Sequence, residues 1–417
     1  MRFFHRALAA VAAIFTFATP AAADTVTDWW DFGNRVAQTA AGPSGLPGTP
    51  DQQRAVTRAT LAMFEALNAI DRRYQSYLSF PVGDPRASPD AAAATAAYRV
   101  LLQHFPTQRA ALDESYAIAM AAIPEGPQRE AGRLIGEAAA AAAMNAGGID
   151  PAVPQVPYRP RTTPGEWIGA SLPVLEPFMT AFHPWVLPSA DAIRPPPPPA
   201  LTSERWARDY AEVQRLGART STARTPFQTL VARYRQAFDI TPAMRLAADA
   251  PGRTQLRNAR MLTLYQMAFD DAALAMVDAK MHYNFWRPIT AIRNGDADGN
   301  DVTAPDPAWV PLLATPNFPE YPCGHCVVAA AIAEVMTEEV GARPAGGVRV
   351  SSQALPLSAV QVLPSWDEWA QQVSDSRIYG GVHFRFSNEA GAEIGRRAAR
   401  MVLDHALRPL PQPARRR

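Results

Sequence analysis

The chain has 417 residues, which is enough to bury a large hydrophobic core in one big domain or two. Its formal net charge is +1 and no basic stripe is visible, so the composition argues against binding to nucleic acid or to an anionic membrane surface. Lysine occurs once, at position 280, and the other permanently basic residues are all arginine. An arginine bias explains the shortage of lysine, but it does not explain why one lysine remains.

The N-terminal segment has the layout of a secretory signal. Arg2 and Arg6 precede an apolar run, Ala7–Phe17, and small residues follow at Ala21–Ala23. The run is too short for a comfortable membrane span. We predict a signal peptide over residues 1–23, cleaved near Ala23, and a secreted or periplasmic protein; a retained anchor is the alternative. No other stretch of the sequence suits an integral membrane span.

Helical periodicity dominates the rest of the chain. Apolar residues recur at helical spacing over 57–74, 95–105, 114–123 and 264–286, whereas runs that alternate with period two are few. We therefore predict an all-α fold over residues 24–408, with long Pro-rich loops and a flexible tail at 409–417.

A Pro-rich segment between Asp150 and Pro199 divides the helical regions. It ends in five consecutive prolines, 195–199, which favour polyproline II and cannot lie inside a helix. A ligand for a proline-binding module would have this composition. We favour a rigid surface crossover between an N-terminal and a C-terminal helical layer.

The tetrapeptide Cys323-Gly324-His325-Cys326 has the dithiol pattern of disulfide-exchange enzymes. Such a motif follows a buried β-strand, but residues 314–322 read ATPNFPEYP, with three prolines in nine residues. A structural zinc site would have three ligands here, but it normally needs a second pair, and these are the only two cysteines. The sequence argues against both interpretations.

Three segments together predict an oxyanion site. Lys280 and Arg287 are seven residues apart, which in one helix places them two turns apart on a single face. His325 follows Gly324 at the start of a helix predicted over 327–340, where backbone N–H groups favour an anion. Arg377 and His383 form the third segment. Guanidinium groups bind oxyanion edges in pairs, and an ammonium adds a point charge.

These segments resemble the signature of the vanadium-dependent haloperoxidases, in the soluble branch of the type 2 phosphatidic acid phosphatase superfamily. That signature reads K-x6-R-P, P-S-G-H and S-R-x5-H. The matching residues are Lys280, Arg287, Pro322, Gly324, His325, Ser376, Arg377, Gly381 and His383. The likeness extends over most of residues 55–405. It implies two packed helical bundles of the vanadium haloperoxidase and acid phosphatase type, with the oxyanion site within residues 270–405.

The resemblance also implies a role for each residue. His383 would bond to vanadium or attack phosphorus, and His325 would act as acid and base on the opposite side. The equatorial oxygens would be held by Lys280, Arg287, Arg377 and the N–H of Gly324, with Lys280 also polarising the bound oxidant. The implied cofactor is vanadate, and phosphate can occupy the same site.

The sequence departs from the family at two positions. Cys323 replaces the usual serine donor; its thiol is a weaker donor, and in an oxidising compartment it can instead pair with Cys326. Ser387 stands where related phosphatases and some haloperoxidases have an aspartate. Phe318 and Trp286, with Tyr321 beside them, either line a halide pocket or are core aromatics.

The implied function is a vanadate-dependent haloperoxidase that oxidises halide with hydrogen peroxide. Two alternatives remain open at this point. One is a non-specific acid phosphatase that forms a phosphohistidine intermediate on phosphate esters. The other is an oxyanion-binding homologue whose catalysis is impaired by the loss of the serine.

Overall fold

The computed structural model describes residues 24–40, 50–151, 158–169, 180–354 and 360–411. The predicted signal peptide and most of the predicted tail lie outside these residues. The described part contains thirteen α-helices and three short β-strands, which confirms the predicted all-α class. None of these helices is both long and apolar enough to cross a bilayer.

The helices fall into an N-terminal and a C-terminal set. The first set is α1 (Thr25–Thr39), α2 (Pro50–Ile70), α3 (Pro89–His104), α4 (Arg109–Ala121) and α5 (Pro127–Ala143). The second set is α6 (Glu204–Gly217), α7 (Pro226–Tyr234), α8 (Thr241–Ala248), α9 (Gln255–Tyr283), α10 (Pro288–Arg293), α11 (Gly324–Val340), α12 (Trp366–Tyr379) and α13 (Arg385–His405).

The strands form one small antiparallel sheet in the order β1-β2-β3. They are β1 (Phe238–Asp239), β2 (Val348–Ser352) and β3 (Gln361–Leu363). Phe238 pairs with Ser352, and Val348 pairs with Leu363. The sheet packs beside α8 and α12, at the edge of the second bundle.

Helix α9 joins the two bundles. It packs against α2 of the first bundle and against α11 and α13 of the second. Its apolar residues, including Leu262, Met267 and Leu274, are buried in the core. Polar residues of this helix, among them Asp270, Asp271 and Lys280, are buried as well.

Asp271 on α9 anchors the Pro-rich connection between the bundles. Its carboxylate accepts the backbone N–H groups of Trp185, Val186 and Leu187 at 2.7, 2.8 and 3.0 Å. The polyproline run follows in extended conformation, and Tyr321 Oη donates to the carbonyl of Pro196 at 2.7 Å. This connection fixes one side of the loop that precedes α11.

The expected single helix face for Lys280 and Arg287 is wrong. Helix α9 ends at Tyr283, because Asn284 adopts the left-handed conformation (φ 45°) and caps it. Arg287 is extended (φ −82°, ψ 156°) and directly precedes Pro288, which begins α10. The ring of a proline disfavours helical geometry in the residue before it, so the chain leaves the helix between the two cations.

Candidate oxyanion site

The three predicted segments converge in the second bundle. Lys280 lies near the end of α9, Arg287 precedes α10, Arg377 lies near the end of α12, and His383 follows in the turn before α13. Their exposed fractions are 0, 1, 2 and 2 %. Arg287 contacts the ring of His383, and the positive charges of Arg287, Lys280 and Arg377 all lower its pKa.

The ring of Phe318 organises the first two cations. Lys280 Nζ lies 5.0 Å from the ring centroid and the guanidinium carbon of Arg287 lies 4.6 Å from it, both within cation–π range. Lys280 Nζ also donates to the carbonyls of Pro319 and Glu320, each at 2.9 Å. Arg287 Nε donates to the Phe318 carbonyl at 2.8 Å. The loop before α11 thus holds both cations although they lie on different elements.

Part of the guanidinium surface has no protein acceptor. Among the described residues, Arg287 Nη2 and both Nε and Nη1 of Arg377 are buried without a hydrogen-bond partner. Buried polar groups almost always have partners, and unpaired charged donors are costly. Three such donors around one point indicate a site shaped for an anion.

His383 is held by a buried carboxylate that the sequence analysis missed. Its Nδ1 lies 2.8 Å from Glu320 Oε1, which also accepts the backbone N–H of Phe384 at 2.9 Å. On the other side of the ring, Arg287 Nη1 lies 3.1 Å from Nε2. Because an arginine can only donate, Nε2 accepts, and Nδ1 therefore carries the proton. The lone pair of Nε2 faces the cations.

Glu320 carries a perturbed carboxyl group. Burial raises its pKa to about 7, although the nearby charges of Arg287 and Lys280 oppose this shift. The available signal in the sequence was that Glu320 is a charged residue inside the Pro-rich stretch 314–322. Loops normally leave such side chains in water, so the sequence did not indicate its burial. Its partner His383 is 63 residues away, so spacing did not reveal the pair.

Burial also shifts the pKa of the other charged groups of the site downward. Burial lowers the pKa of Lys280 well below its usual value, with Arg287 adding to the effect. Burial also lowers the pKa of Arg287 to about 9 and that of Arg377 to about 10. For His383, burial and the positive charge of Arg287 hold the pKa well below its ordinary range. A bound anion would reverse the electrostatic part of these shifts.

His325 lies at the partly exposed side of the site. Its Nε2 lies 3.1 Å from the carbonyl of Gln236, so Nε2 donates and Nδ1 is left as the proton acceptor. The ring packs edge-on against Phe238, with centroids 6.0 Å apart. Desolvation and the charge of Arg377 lower its pKa to about 3. This histidine is neutral at neutral pH and is placed to exchange protons.

The N-terminus of α11 carries a disulfide between Cys323 and Cys326. Cys323 is the N-cap, and its sulfur accepts the backbone N–H of Cys326 at 3.3 Å. In this state Cys323 has no proton for a bound oxyanion. The backbone N–H of Gly324 is one of those that a helix leaves without an intrahelical partner, and it remains the donor of this segment.

A glycine shapes the turn that carries His383. Gly381 has φ +74°, and a Cβ at this position would lie 2.5 Å from the carbonyl oxygen of Gly217. Only glycine fits this left-handed position against α6. This contact holds the turn against α6 and so helps to position His383 beside the cations.

Other residues singled out in the sequence have structural contacts. Trp286 stacks on Trp206 with centroids 6.0 Å apart, inside an aromatic cluster that includes Phe384 and Phe386. Ser376 donates to the carbonyl of Val373 at 2.6 Å. Ser387, where a carboxylate was expected in related proteins, is buried, and its carbonyl accepts the N–H of Cys323 at 3.1 Å. Of the two aromatic residues predicted to line a halide pocket, Phe318 lies within cation–π range of Lys280 and Arg287, whereas Trp286 packs in the aromatic cluster.

The donor set suits an oxyanion better than a bare metal cation. No group of three or more His, Cys, Asp or Glu side chains in the described ranges is placed to hold a metal ion. The site offers positive charge, N–H donors and the imidazole lone pairs of His325 and His383. Those groups match a tetrahedral or five-coordinate oxyanion such as phosphate or vanadate.

Comparisons with known proteins concern the fold. Residues 260–411 match the sequence family described as the VCPO second helical-bundle domain. A crystal structure of a bacterial vanadium-dependent iodoperoxidase is 22 % identical, with a TM-score of 0.73 over 93 % of this chain and 96 % of that chain. The holo form of a bacterial vanadium-dependent chloroperoxidase is 16 % identical, with a TM-score of 0.65 over 88 % of this chain and 94 % of that one.

A search of curated proteins found no match. The resemblance inferred from the sequence is nevertheless confirmed at the level of the fold. The chain shares the fold of these bacterial vanadium haloperoxidases.

Proposed function

We propose that this protein is a vanadate-dependent haloperoxidase that oxidises halide with hydrogen peroxide. One observation carries the proposal: three buried guanidinium nitrogens of Arg287 and Arg377 have no acceptor, and the unprotonated Nε2 of His383 lies 3.1 Å from Arg287 Nη1. The fold shared with vanadium haloperoxidases supports the same conclusion.

The residues present fit vanadate. Arg287, Arg377 and the N–H of Gly324 would donate to its oxygens, and Lys280 would add positive charge. His383 Nε2 would bond to the vanadium. When bound, vanadate supplies the electrophilic centre that activates hydrogen peroxide toward halide.

The protein's own groups then have separate tasks. Arg287 Nη1 turns from His383 Nε2 to the oxyanion, which releases the lone pair of the imidazole. Glu320 accepts from Nδ1 and stabilises the positive charge that develops on the ring. His325 Nδ1 accepts and returns a proton at the partly exposed side. Phe318 covers Lys280 and Arg287 and keeps water from them.

The same geometry keeps a phosphatase as the second candidate. The observation that favours it is the Glu320–His383 pair, since a neutral imidazole oriented by a carboxylate also suits attack on phosphorus. The neutral disulfide in place of a serine donor is compatible with the third candidate, an oxyanion-binding protein with impaired turnover.

Purified protein reconstituted with vanadate tests the proposal. Peroxide-dependent iodination and bromination of a phenolic dye would be followed with and without vanadate, beside hydrolysis of p-nitrophenyl phosphate without it. We expect halogenation that requires vanadate, is lost in Lys280→Met, and is kept in Arg349→Ala, whose side chain is exposed on β2.

The outcomes separate the three candidates. Absence of halogenation with both halides, in protein that binds vanadate, would overturn the haloperoxidase proposal. Phosphate ester hydrolysis that is abolished by His383→Ala would then identify a phosphatase. Tight phosphate binding without either activity would identify an oxyanion-binding protein.

We also propose that residues 1–23 direct export and are removed. Expression of the full chain in a bacterial host, followed by N-terminal sequencing of the periplasmic fraction, tests this. A mature protein that begins near Asp24 is expected, and an uncleaved cytoplasmic protein would contradict the proposal.

A further inference from the structure

We propose that the Cys323–Cys326 disulfide is a thiol-exchange site, and that its reduction by a small dithiol weakens oxyanion binding in the adjacent pocket. This inference rests on the oxyanion pocket of the proposed function and adds a regulatory chemistry to it. The disulfide encloses Gly324 and His325, so the loop that it closes is itself part of the oxyanion site.

The oxidised loop is packed without spare room. Cys323 and Cys326 are 0 and 2 % exposed. Helix α13 crosses directly over them: a Cβ at Gly391 would lie 2.5 Å from the Cys323 carbonyl oxygen and 3.2 Å from Cys326 Cβ. Interiors this tight respond to small changes in volume.

Reduction would require space that the loop does not have. Two bonded sulfurs lie about 2 Å apart, whereas non-bonded heavy atoms need roughly 3.5–4 Å. Because α13 blocks one side, the first turn of α11 has to move when the bond is cleaved. That turn carries the N–H of Gly324 and the ring of His325, so the movement reaches the oxyanion pocket.

Reduction also changes the charge at the pocket. The disulfide is neutral, but a thiol at a helix N-cap beside cations is readily ionised. The charges of Arg377, Arg287 and Lys280 all reach His325, two residues from Cys323. A Cys323 thiolate would therefore compete with the oxyanion for these cations. Both the steric and the electrostatic effects act against anion binding.

A groove beside this bond is the route by which a reductant would reach it when the loop opens. It has a volume of about 590 Å³ and lies between α11, α12 and α13, with Cys326 and Ala330 in its wall. The groove also carries three arginines, and each pairs with a carboxylate: Arg400 with Glu334, Arg396 with Glu393, and Arg385 with Glu212 and Asp375. Because its three arginines are paired, the groove suits a small uncharged dithiol better than an anionic thiol.

The thiol–disulfide exchange takes place in two steps. A thiolate of the dithiol attacks Cys326 Sγ, the disulfide breaks, and its electron pair goes to Cys323 Sγ. The second thiol of the reductant then attacks the mixed disulfide and releases Cys326 as a thiolate. Two electrons pass to the protein, and the reductant leaves as a cyclic disulfide; the two protons it loses go to the cysteines or to solvent.

Phosphate binding before and after reduction tests the inference. The full chain would be treated with dithiothreitol under native conditions, separated from it without air, and titrated calorimetrically with inorganic phosphate; alkylation and mass spectrometry would count free thiols. We expect two thiols per chain, phosphate affinity lowered by about tenfold or more, and recovery on reoxidation. Cys323→Ser/Cys326→Ser protein should bind phosphate equally with and without the dithiol.

Two results would overturn the inference: equal phosphate affinity in protein that has two free thiols, or failure of excess dithiol to reduce the folded protein. If the oxidised protein binds no phosphate, the oxyanion proposal itself fails. Ala392→Phe, which narrows the groove from α13, tests the route: it should slow reduction and leave phosphate affinity unchanged. An unaltered reduction rate would contradict entry through the groove.

Discussion

Glu320 Oε1 and His383 Nδ1 lie 2.8 Å apart in the interior. Glu320 is thus the carboxylate partner of His383, which the serine at position 387 does not provide. Some related proteins have an aspartate at position 387, where this chain has a serine. The sequence therefore did not show which carboxylate lies beside the imidazole of His383. Glu320 reaches the same ring from the loop before α11. The ring nitrogen that faces the cations is consequently the unprotonated one.

Glu320→Gln should change how stability depends on pH. The pKa of Glu320 is about 7 in the folded protein and 4.5 in its ordinary state, so the folded protein keeps a proton that the unfolded chain releases. Its stabilising contribution is therefore complete below about pH 4.5 and is lost as the pH rises through about 7. Relative to the Gln variant, the wild type should lose up to about 3 kcal/mol of unfolding free energy across this range.

Urea unfolding of both proteins at several pH values in phosphate-free buffer measures this difference. Glu338→Gln, at an exposed position on α11, serves as the control and should run parallel to the wild type. If the unfolding free energy of Glu320→Gln also depends on pH as that of the wild type does, Glu320 does not retain its proton in the folded protein.

Arg377→Met should make the protein more stable and bind oxyanions less tightly. The wild-type side chain is buried with Nε and Nη1 unpartnered, so its removal relieves a desolvation penalty of about 1–3 kcal/mol. The same change removes charged donors, and phosphate affinity should fall by about 10–100-fold. Thermal unfolding and calorimetric titration would measure the two effects. Arg349→Met should change neither, and a destabilised Arg377→Met protein would contradict the role of unpaired donor.

Gly381→Ala should destabilise the protein by more than about 2 kcal/mol and reduce halogenation. The new Cβ would meet the Gly217 carbonyl at 2.5 Å, in addition to the cost of a positive φ. Gly252→Ala is the matched control, because Gly252 has φ +81° and nothing within 4 Å of its Cβ position. The control should lose only about 1 kcal/mol. Similar losses in both variants would exclude a role for the contact with α6.

Asp271→Ala should reduce stability without a direct effect on the site. Three backbone N–H groups lose a charged acceptor in the interior, at a cost of about 3–5 kcal/mol. Asp278→Ala removes a more accessible carboxylate, paired with Arg194 at 2.7 Å, and should cost about 1 kcal/mol or less. Denaturant unfolding and phosphate titration of both variants would compare them. A large loss of phosphate affinity in folded Asp271→Ala protein would contradict a purely structural role.

Local sequence features predicted the helical class and most of the site. The apolar periodicity of residues 264–286 predicted α9, although the helix begins earlier and ends at Tyr283. The chemistry of Lys280, Arg287, Arg377 and His383 predicted an anion site. Both kinds of inference depend on residue type and short spacing, which the sequence displays directly.

Residue types and local periodicity thus specify the charged groups and the helices that carry most of them. The tertiary structure alone decided how they meet: Arg287 leaves the helix that carries Lys280, Glu320 reaches His383 across 63 residues, and Phe318 joins the two cations. Neither periodicity nor motif spacing contains this information. It arises only when burial brings distant segments together, and then desolvation sets which of the charged groups keep their protons.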